Sequence, residues 1–167
     1  HLLVFYQACN LLYSQSVRGI QPHWVSEYLD KGKPESVIDY GRMKRFKSHL
    51  PMIIRPDILL TENGPIASEL DSVPGGIGLT ASLCHQYAQL GYNIIGQKQG
   101  MIESFAKMIR SLSKIDEPIL GIVISEESKD YRNEMKWLGK MLNKQGLVTY
   151  VVEPQEIIFT EDRLLIQ

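Results

Sequence analysis

Cysteine is nearly missing from this chain: Cys9 and Cys84 are the only two, and neither lies in a paired motif. That argues against a disulfide framework and fits a reducing, cytoplasmic setting. An excess of one charge is missing too. Eighteen basic side chains face nineteen acidic ones, for a formal net charge of −1. Such a balance leaves no general electrostatic footprint for nucleic acid or an anionic membrane. No apolar run reaches the roughly 18 residues that span a bilayer. The opening His-Leu-Leu-Val-Phe-Tyr lacks the basic region and cleavage site of a signal peptide. The four histidines (His1, His23, His49, His85) show no metal-ligand spacing. Internal repeats and low-complexity segments are absent as well.

What is present is an ordinary globular composition, 44% hydrophobic and 22% charged. A chain of 167 residues is expected to form a single domain, residues 1–167. It starts without Met and stops at Arg163-Leu-Leu-Ile-Gln167, inside a strand-like run. A longer parent protein is therefore expected.

Apolar spacing predicts helices over 2–15 and 23–30, the second ended by Lys31-Gly-Lys33-Pro. Arg42 to Lys47 is a basic cluster, read either as a solvated surface or as a phosphate-facing patch. Pro74-Gly-Gly-Ile-Gly78 leads into a helix with Leu79, Leu83, Tyr87 and Leu90 on one stripe. Cys84 and His85 lie within it. Adjacent helix positions point about 100° apart, so a buried structural thiol is preferred there to a Cys/His nucleophile pair. Tyr92–Gly96 reads as a short strand. A further helix carries Met101, Ile102, Phe105, Met108, Ile109 and Leu112 as a core stripe. Pro118–Ser125 reads as a buried parallel strand, followed by a helix capped by Ser128 and by a strand over 147–152. Together these make a βαβ unit, which favours a parallel sheet. Residues 156–166 read as a hairpin.

The chemistry concentrates in residues 55–72, two short strands joined near Asn63-Gly64. Strand alternation puts Arg55 with Asp57, and Glu69 with Asp71. An Asn-Gly two-residue turn would pair Asp57 with Leu70 and set the carboxylates on opposite faces. A three-residue loop with a bulge would pair Asp57 with Asp71. It would gather Arg55, Asp57, Glu69 and Asp71 on one face, with Ile58, Leu60 and Leu70 on a core side. The second register is favoured because it separates charged from apolar residues. Close carboxylates repel one another unless a cation intervenes, and magnesium is usually shared between carboxylates and phosphates. The bland alternative is a solvated hairpin with a surface Arg–Asp pair. The Gly75-Gly76 loop offers backbone N–H groups to an anion, or is simply a turn needing positive φ.

Arg55-Pro-Asp57 followed by Glu69-Leu-Asp71 resembles the circularly permuted ATP-grasp ligases of the glutathionylspermidine synthase type. Trp24–Pro34, Glu69–Thr80, and Ser125–Tyr131 with Glu134–Leu138 also resemble relatives of that family. The resemblance implies a Rossmann-like pre-ATP-grasp α/β domain, a largely parallel sheet flanked by helices, with a metal-binding hairpin attached. It implies Asp57, Glu69 and Asp71 as Mg2+ ligands and Arg55 as the group that stabilises a reacting acyl phosphate. Ser72, Gly75 and Gly76 would border the acceptor carboxylate. ATP would be gripped mostly by a downstream half of the same protein, and a carboxylate would be joined to an amine. Asp71 stands where the synthases carry Asn, and Ser72-Val-Pro-Gly-Gly departs from their thiol-peptide segment, so glutathione is a doubtful substrate. The alternative from another class is a non-catalytic α/β module that binds a peptide or small acid.

Overall fold

The computed structural model describes residues 2–72 and 75–167; His1, Val73 and Pro74 lie outside the described residues. The chain divides into two compact units, His1–Ser72 and Val73–Gln167.

The first unit holds α1 (Leu2–Val17), α2 (Trp24–Asp30), α3 (Glu35–Arg42), a 3-10 turn at Lys44–Phe46, and the hairpin of β1 (Arg55–Thr61) and β2 (Gly64–Asp71). Helix α1 has apolar residues nearly all round, yet Leu3, Val4, Phe5 and Leu11 are exposed and only Ser16 is fully buried. Polar bonds hold its C-terminal end. The Ser16 hydroxyl donates to the Pro22 carbonyl at 2.6 Å and accepts from the Ser26 N–H at 3.0 Å. Helix α3 was not anticipated. Its signals are slight: Pro34 before it, Glu35 in the first turn and Arg42 in the last, each suiting the helix dipole.

One carboxylate ties all three helices. Asp30 at the end of α2 is buried, and a buried carboxylate must be paired and hydrogen-bonded. The Tyr13 hydroxyl of α1 reaches both its oxygens, at 3.0 and 2.8 Å. Arg42 Nη2 of α3 donates to it at 2.7 Å, and Arg42 Nε lies 3.3 Å from the Tyr13 oxygen. Burial is the largest single influence on Asp30 and opposes its ionisation. The hydrogen bonds from Tyr13 and Arg42, with the charges of Arg42 and Lys33, outweigh it and hold the carboxyl below its ordinary range. Burial, followed by the contest between Arg42 and Asp30, leaves the Tyr13 hydroxyl above its ordinary range.

The second unit holds α4 (Ile77–Gln89), α5 (Gly100–Leu112), β3 (Leu120–Val123), α6 (Arg132–Lys144), β4 (Thr149–Val152), and the short strands β5 (Ile157–Phe159) and β6 (Leu164–Ile166). Its core gathers Ala81 of α4, Ile102 and Ala106 of α5, and Met135, Leu138, Met141 and Leu142 of α6, with Ile124 and Leu147. The α5 stripe packs as expected, with Met101, Phe105 and Ile109 against that core. The α4 stripe does not: Leu79, Leu83, Tyr87 and Leu90 are exposed, and the helix buries its small residues Gly78 and Ala81 instead. Asn143 closes the α6–β4 turn. It donates to the Thr149 carbonyl at 2.9 Å and accepts from the Thr149 N–H at 3.1 Å.

Strands β3 and β4 run parallel, with Leu120 opposite Thr149 and Val123 opposite Val152. This is the βαβ pairing expected. The larger expectation, a Rossmann-like pre-ATP-grasp domain with a largely parallel sheet, is overturned. Among the described residues the strands form three separate two-stranded sheets, β1–β2, β3–β4 and β5–β6, and two of the three are antiparallel. The physical reason is that the chain supplies few extended segments beyond its hairpins. Tyr92–Gly96, read as a strand, is a loop whose Ile95 is fully exposed and whose flanking Gly91 and Gly96 take positive φ. Hairpin strands meet their neighbour through a short turn, so they pair antiparallel and locally. Ser128 does not cap α6 either. It lies within a 3-10 segment, Glu126–Tyr131, and α6 starts only at Arg132. Among the described residues no helix is long and apolar enough to cross a membrane.

Asp30→Asn should destabilise the first unit at pH 7 by about 1–3 kcal/mol, the worth of hydrogen bonds to a charged group. Because the folded Asp30 pKa is depressed, its stabilisation is present above the unfolded value of about 3.9. It is lost as pH falls through the lower folded value. Tyr13 has the opposite sign: its contribution is present below the unfolded value near 10 and lost as pH rises through the higher folded value. Urea unfolding across pH should show Asp30→Asn flattening the acid limb and Tyr13→Phe the alkaline one. Unchanged limbs would show that this network contributes nothing to pH-dependent stability.

Candidate functional site

The hairpin positions the predicted site residues. Its loop is Glu62-Asn63, one residue earlier than an Asn-Gly turn, with Thr61 opposite Gly64. Thr61 Oγ1 closes the turn, donating to the Gly64 carbonyl at 2.7 Å and accepting from the Asn63 N–H at 3.3 Å. From there the ladder runs Leu60–Pro65, Leu59–Ile66 and Ile58–Ala67, then shifts. Ser68 is the extra residue of a β-bulge, and its hydroxyl donates to the Asp57 carbonyl at 3.2 Å. Beyond it Asp57 faces Glu69, Pro56 faces Leu70 and Arg55 faces Asp71.

This is neither register anticipated. Over Arg55–Asp57 it differs by two residues from the favoured one, which set Asp57 against Asp71. Side chains alternate with period two, so a slip of two leaves the faces of these charged residues unchanged. Arg55, Asp57, Glu69 and Asp71 therefore share one face. Directly opposed residues approach to about 5 Å between Cβ atoms, which puts Asp57 beside Glu69. Arg55 Nη1 lies 3.5 Å from Asp71 Oδ2, both partly exposed. Ile58, Leu60 and Leu70 share the other face as expected. They do not form a core side there: Ile58 is 46% and Leu60 88% exposed.

Among the described residues no group of three or more His, Cys, Asp and Glu side chains forms a metal cluster. The donor chemistry nonetheless suits magnesium. That ion takes hard oxygens, usually one or two carboxylates, and completes its shell with water and phosphate. Asp57 and Glu69 supply such a pair, while Asp71 is engaged with Arg55.

The predicted acceptor-site residues divide between the two units. Ser72 is exposed just after β2. Gly75 and Gly76 open the second unit, and Val73 and Pro74, which belonged to the same predicted segment, lie outside the described residues. Gly75 is buried, with the Tyr131 ring against it. Gly76 sits at φ 80°, a left-handed conformation favouring glycine, as the residue before α4. The N–H groups of this turn do meet an anion, supplied by the chain itself. Glu134 of α6 accepts from the Gly76 N–H at 2.7 Å through Oε1 and from the Leu79 N–H at 2.6 Å through Oε2. An acidic group at a helix N-terminus satisfies otherwise orphaned donors and meets the positive end of the dipole.

Sequence reasoning passed over Glu134, which lies 58 residues from Gly76. No local pattern marks such a pair. It passed over Asp30 and Tyr13 for the same reason. No hydrogen bond joins Cys84 to His85. The His85 ring packs edge-on to Trp137, and its Nε2 lies 3.2 Å from Gln89 Nε2, while Cys84 is a half-buried free thiol.

The chain matches no family model, no curated protein and no solved structure.

Glu134→Ala should cost the second unit about 1–2 kcal/mol, as removal of a strong N-terminal cap does. Gly78→Ala tests the same contact sterically. A Cβ there would stand 2.3 Å from the Glu134 carbonyl oxygen, so α4 and α6 must move apart. Overpacking of this kind costs about 1–3 kcal/mol. Denaturant midpoints measure both. Wild-type midpoints in both variants would show that α4 is not held by Glu134.

Proposed function

We propose that this chain is the magnesium- and acyl-phosphate-facing part of an ATP-dependent carboxylate–amine ligase. It is glutathionylspermidine synthase-like in its hairpin residues and not in its substrates. The observation that carries this reading is the register of β1 and β2, which sets Arg55, Asp57, Glu69 and Asp71 on one face. Asp57 and Glu69 would hold Mg2+, and the ion when bound neutralises charge on phosphate oxygens. Asp71 orients the Arg55 guanidinium, which donates hydrogen bonds to the phosphoryl oxygens of an acyl phosphate. Ser72, next in the chain, offers a hydroxyl to the acceptor carboxylate. ATP is bound chiefly by a downstream half of a longer protein; the amine attacks the acyl carbon of the acyl phosphate there, forming the amide as the bond to phosphate breaks and inorganic phosphate leaves.

The exposed apolar face of the same hairpin favours a second reading, a non-catalytic module that binds a peptide or small acid.

Mn2+ in place of Mg2+, followed by water-proton relaxation with and without acetyl phosphate, separates the two. On the ligase reading Mn2+ binds more tightly when acetyl phosphate is present. Glu69→Gln and Asp57→Asn each weaken it by at least the roughly 10-fold that loss of an outer-shell partner costs. In the longer protein, Arg55→Ala should lower substrate-dependent ADP release about 100-fold or more, as loss of a transition-state donor does. Mn2+ binding indifferent to Asp57 and Glu69 would discard the ligase reading in favour of the binding module.

A further inference from the structure

Beside α1 lies a groove that the hairpin reading does not use. Two adjoining hollows, of about 140 and 170 Å³, share Asn10, Ser14 and Lys47. The first is bounded by Tyr13, Val17, Arg18, Arg42 and Phe46, the second by Leu11 and Leu50 beside Gln7 and Ser48. Neither is lined by an Asp or a Glu.

Arg42 at the first hollow is built in, and two exposed cations stand beside it. Arg42 is fixed by Asp30 at 2.7 Å and by the Tyr13 hydroxyl. Arg18 Nε donates to the Ser14 carbonyl at 3.0 Å, which lays its guanidinium along α1. Asn10 Nδ2 donates to the Lys47 carbonyl at 3.0 Å and holds that segment on the helix. Among the described residues neither Arg18 nor Lys47 has a carboxylate within ion-pair distance. Three cations less the one charge that Asp30 neutralises on Arg42 leave a surplus of two.

We infer that this groove binds a phosphomonoester. The phosphate would sit among Arg18, Arg42 and Lys47, and the organic body would extend over Leu11 and Leu50. A surplus of two positive charges matches a phosphate dianion better than a single carboxylate. Arg42 uses Nη2 and Nε on Asp30 and Tyr13 and keeps Nη1 for the phosphate, while Arg18 keeps both Nη groups for its acceptor oxygens. The Ser14 hydroxyl adds a neutral donor at the junction of the two hollows. The apolar side chains of the second hollow have no use for inorganic phosphate, which is why an ester is the better fit. This site is independent of the hairpin reading.

Amide NMR spectra of the chain, titrated with phenyl phosphate, inorganic phosphate and sodium chloride at matched ionic strength, test the inference. The amides of Ser14, Gly41 and Lys47 should shift with both phosphates, with phenyl phosphate the tighter, and not with chloride. The exposed double variant Arg18→Gln/Lys47→Gln removes charge-assisted bonds and should weaken binding roughly 10-fold or more. Its spectrum away from the groove reports that the fold is intact. Glu69→Gln should leave the response unchanged. No shifts at these amides, equal shifts with chloride, or binding unaffected by the double variant would overturn the site. Equal affinity for phosphate and phenyl phosphate would overturn its assignment to an ester.

Discussion

The carboxylate of Glu134 is the constraint on which the second unit depends. Both of its oxygens are used on the first turn of α4, through Gly76 and Leu79. That contact fixes where α4 starts and which way it rolls. Gly78 then lies against the α6 backbone, with no room for a side chain. Ala81, one turn on, enters the core, and the larger Leu79 and Leu83 are left outside. Helix α6 in turn carries Leu138 and Leu142 into the core it shares with α5. A polar contact thus sets the register of an apolar one. The helix shows the face that its small residues permit, not the face with the most hydrophobic area.

The first unit uses the same physics with less apolar support. Its buried residues are Val25, Ser16, Ser26 and Asp30, three of them polar. An ion that is desolvated must be paired, and Asp30 recruits one partner from α1 and another from α3. This arrangement specifies which helices meet more than it stabilises them, because each partner must give up water as well. It also explains how a basic segment at Arg42–Lys47 stays near α1: Arg42 is tethered to Asp30, and the Lys47 carbonyl is tethered to Asn10.

What could be read from residue order follows these contacts closely. Helices α1, α2 and α5 and the β5–β6 hairpin were legible, because local spacing and turn residues are enough to define them. The β3–β4 pairing was legible because β-branched runs separated by a helix leave little else to form. The expected Rossmann-like sheet does not form, since sheet size depends on whether a segment such as Tyr92–Gly96 finds a neighbour, and that is not encoded locally. The outward face of α4 was misread because an apolar stripe competes with a close helix contact made by glycine and alanine. Asp30, Tyr13 and Glu134 went unseen for a common reason: a polar side chain gives no sign in sequence of a partner on another element. The grouping of Arg55, Asp57, Glu69 and Asp71 was legible, though the pairing between them was not.

That last distinction has a physical basis in parity. Closing the hairpin at Glu62-Asn63 without a bulge would set Asp57 against Ser68, and the acidic pair of β2 would point away from Asp57. One extra residue at Ser68 restores the match. The charged face is therefore not produced by the turn, nor by the alternation of either strand alone. It exists because an odd loop offset and a one-residue bulge cancel. A bulge also bends and twists the strand that carries it, so Glu69 and Asp71 are aimed by the same residue that brings them to the correct face. Ser68 rather than a charged residue determines that Arg55 and the carboxylates share a face.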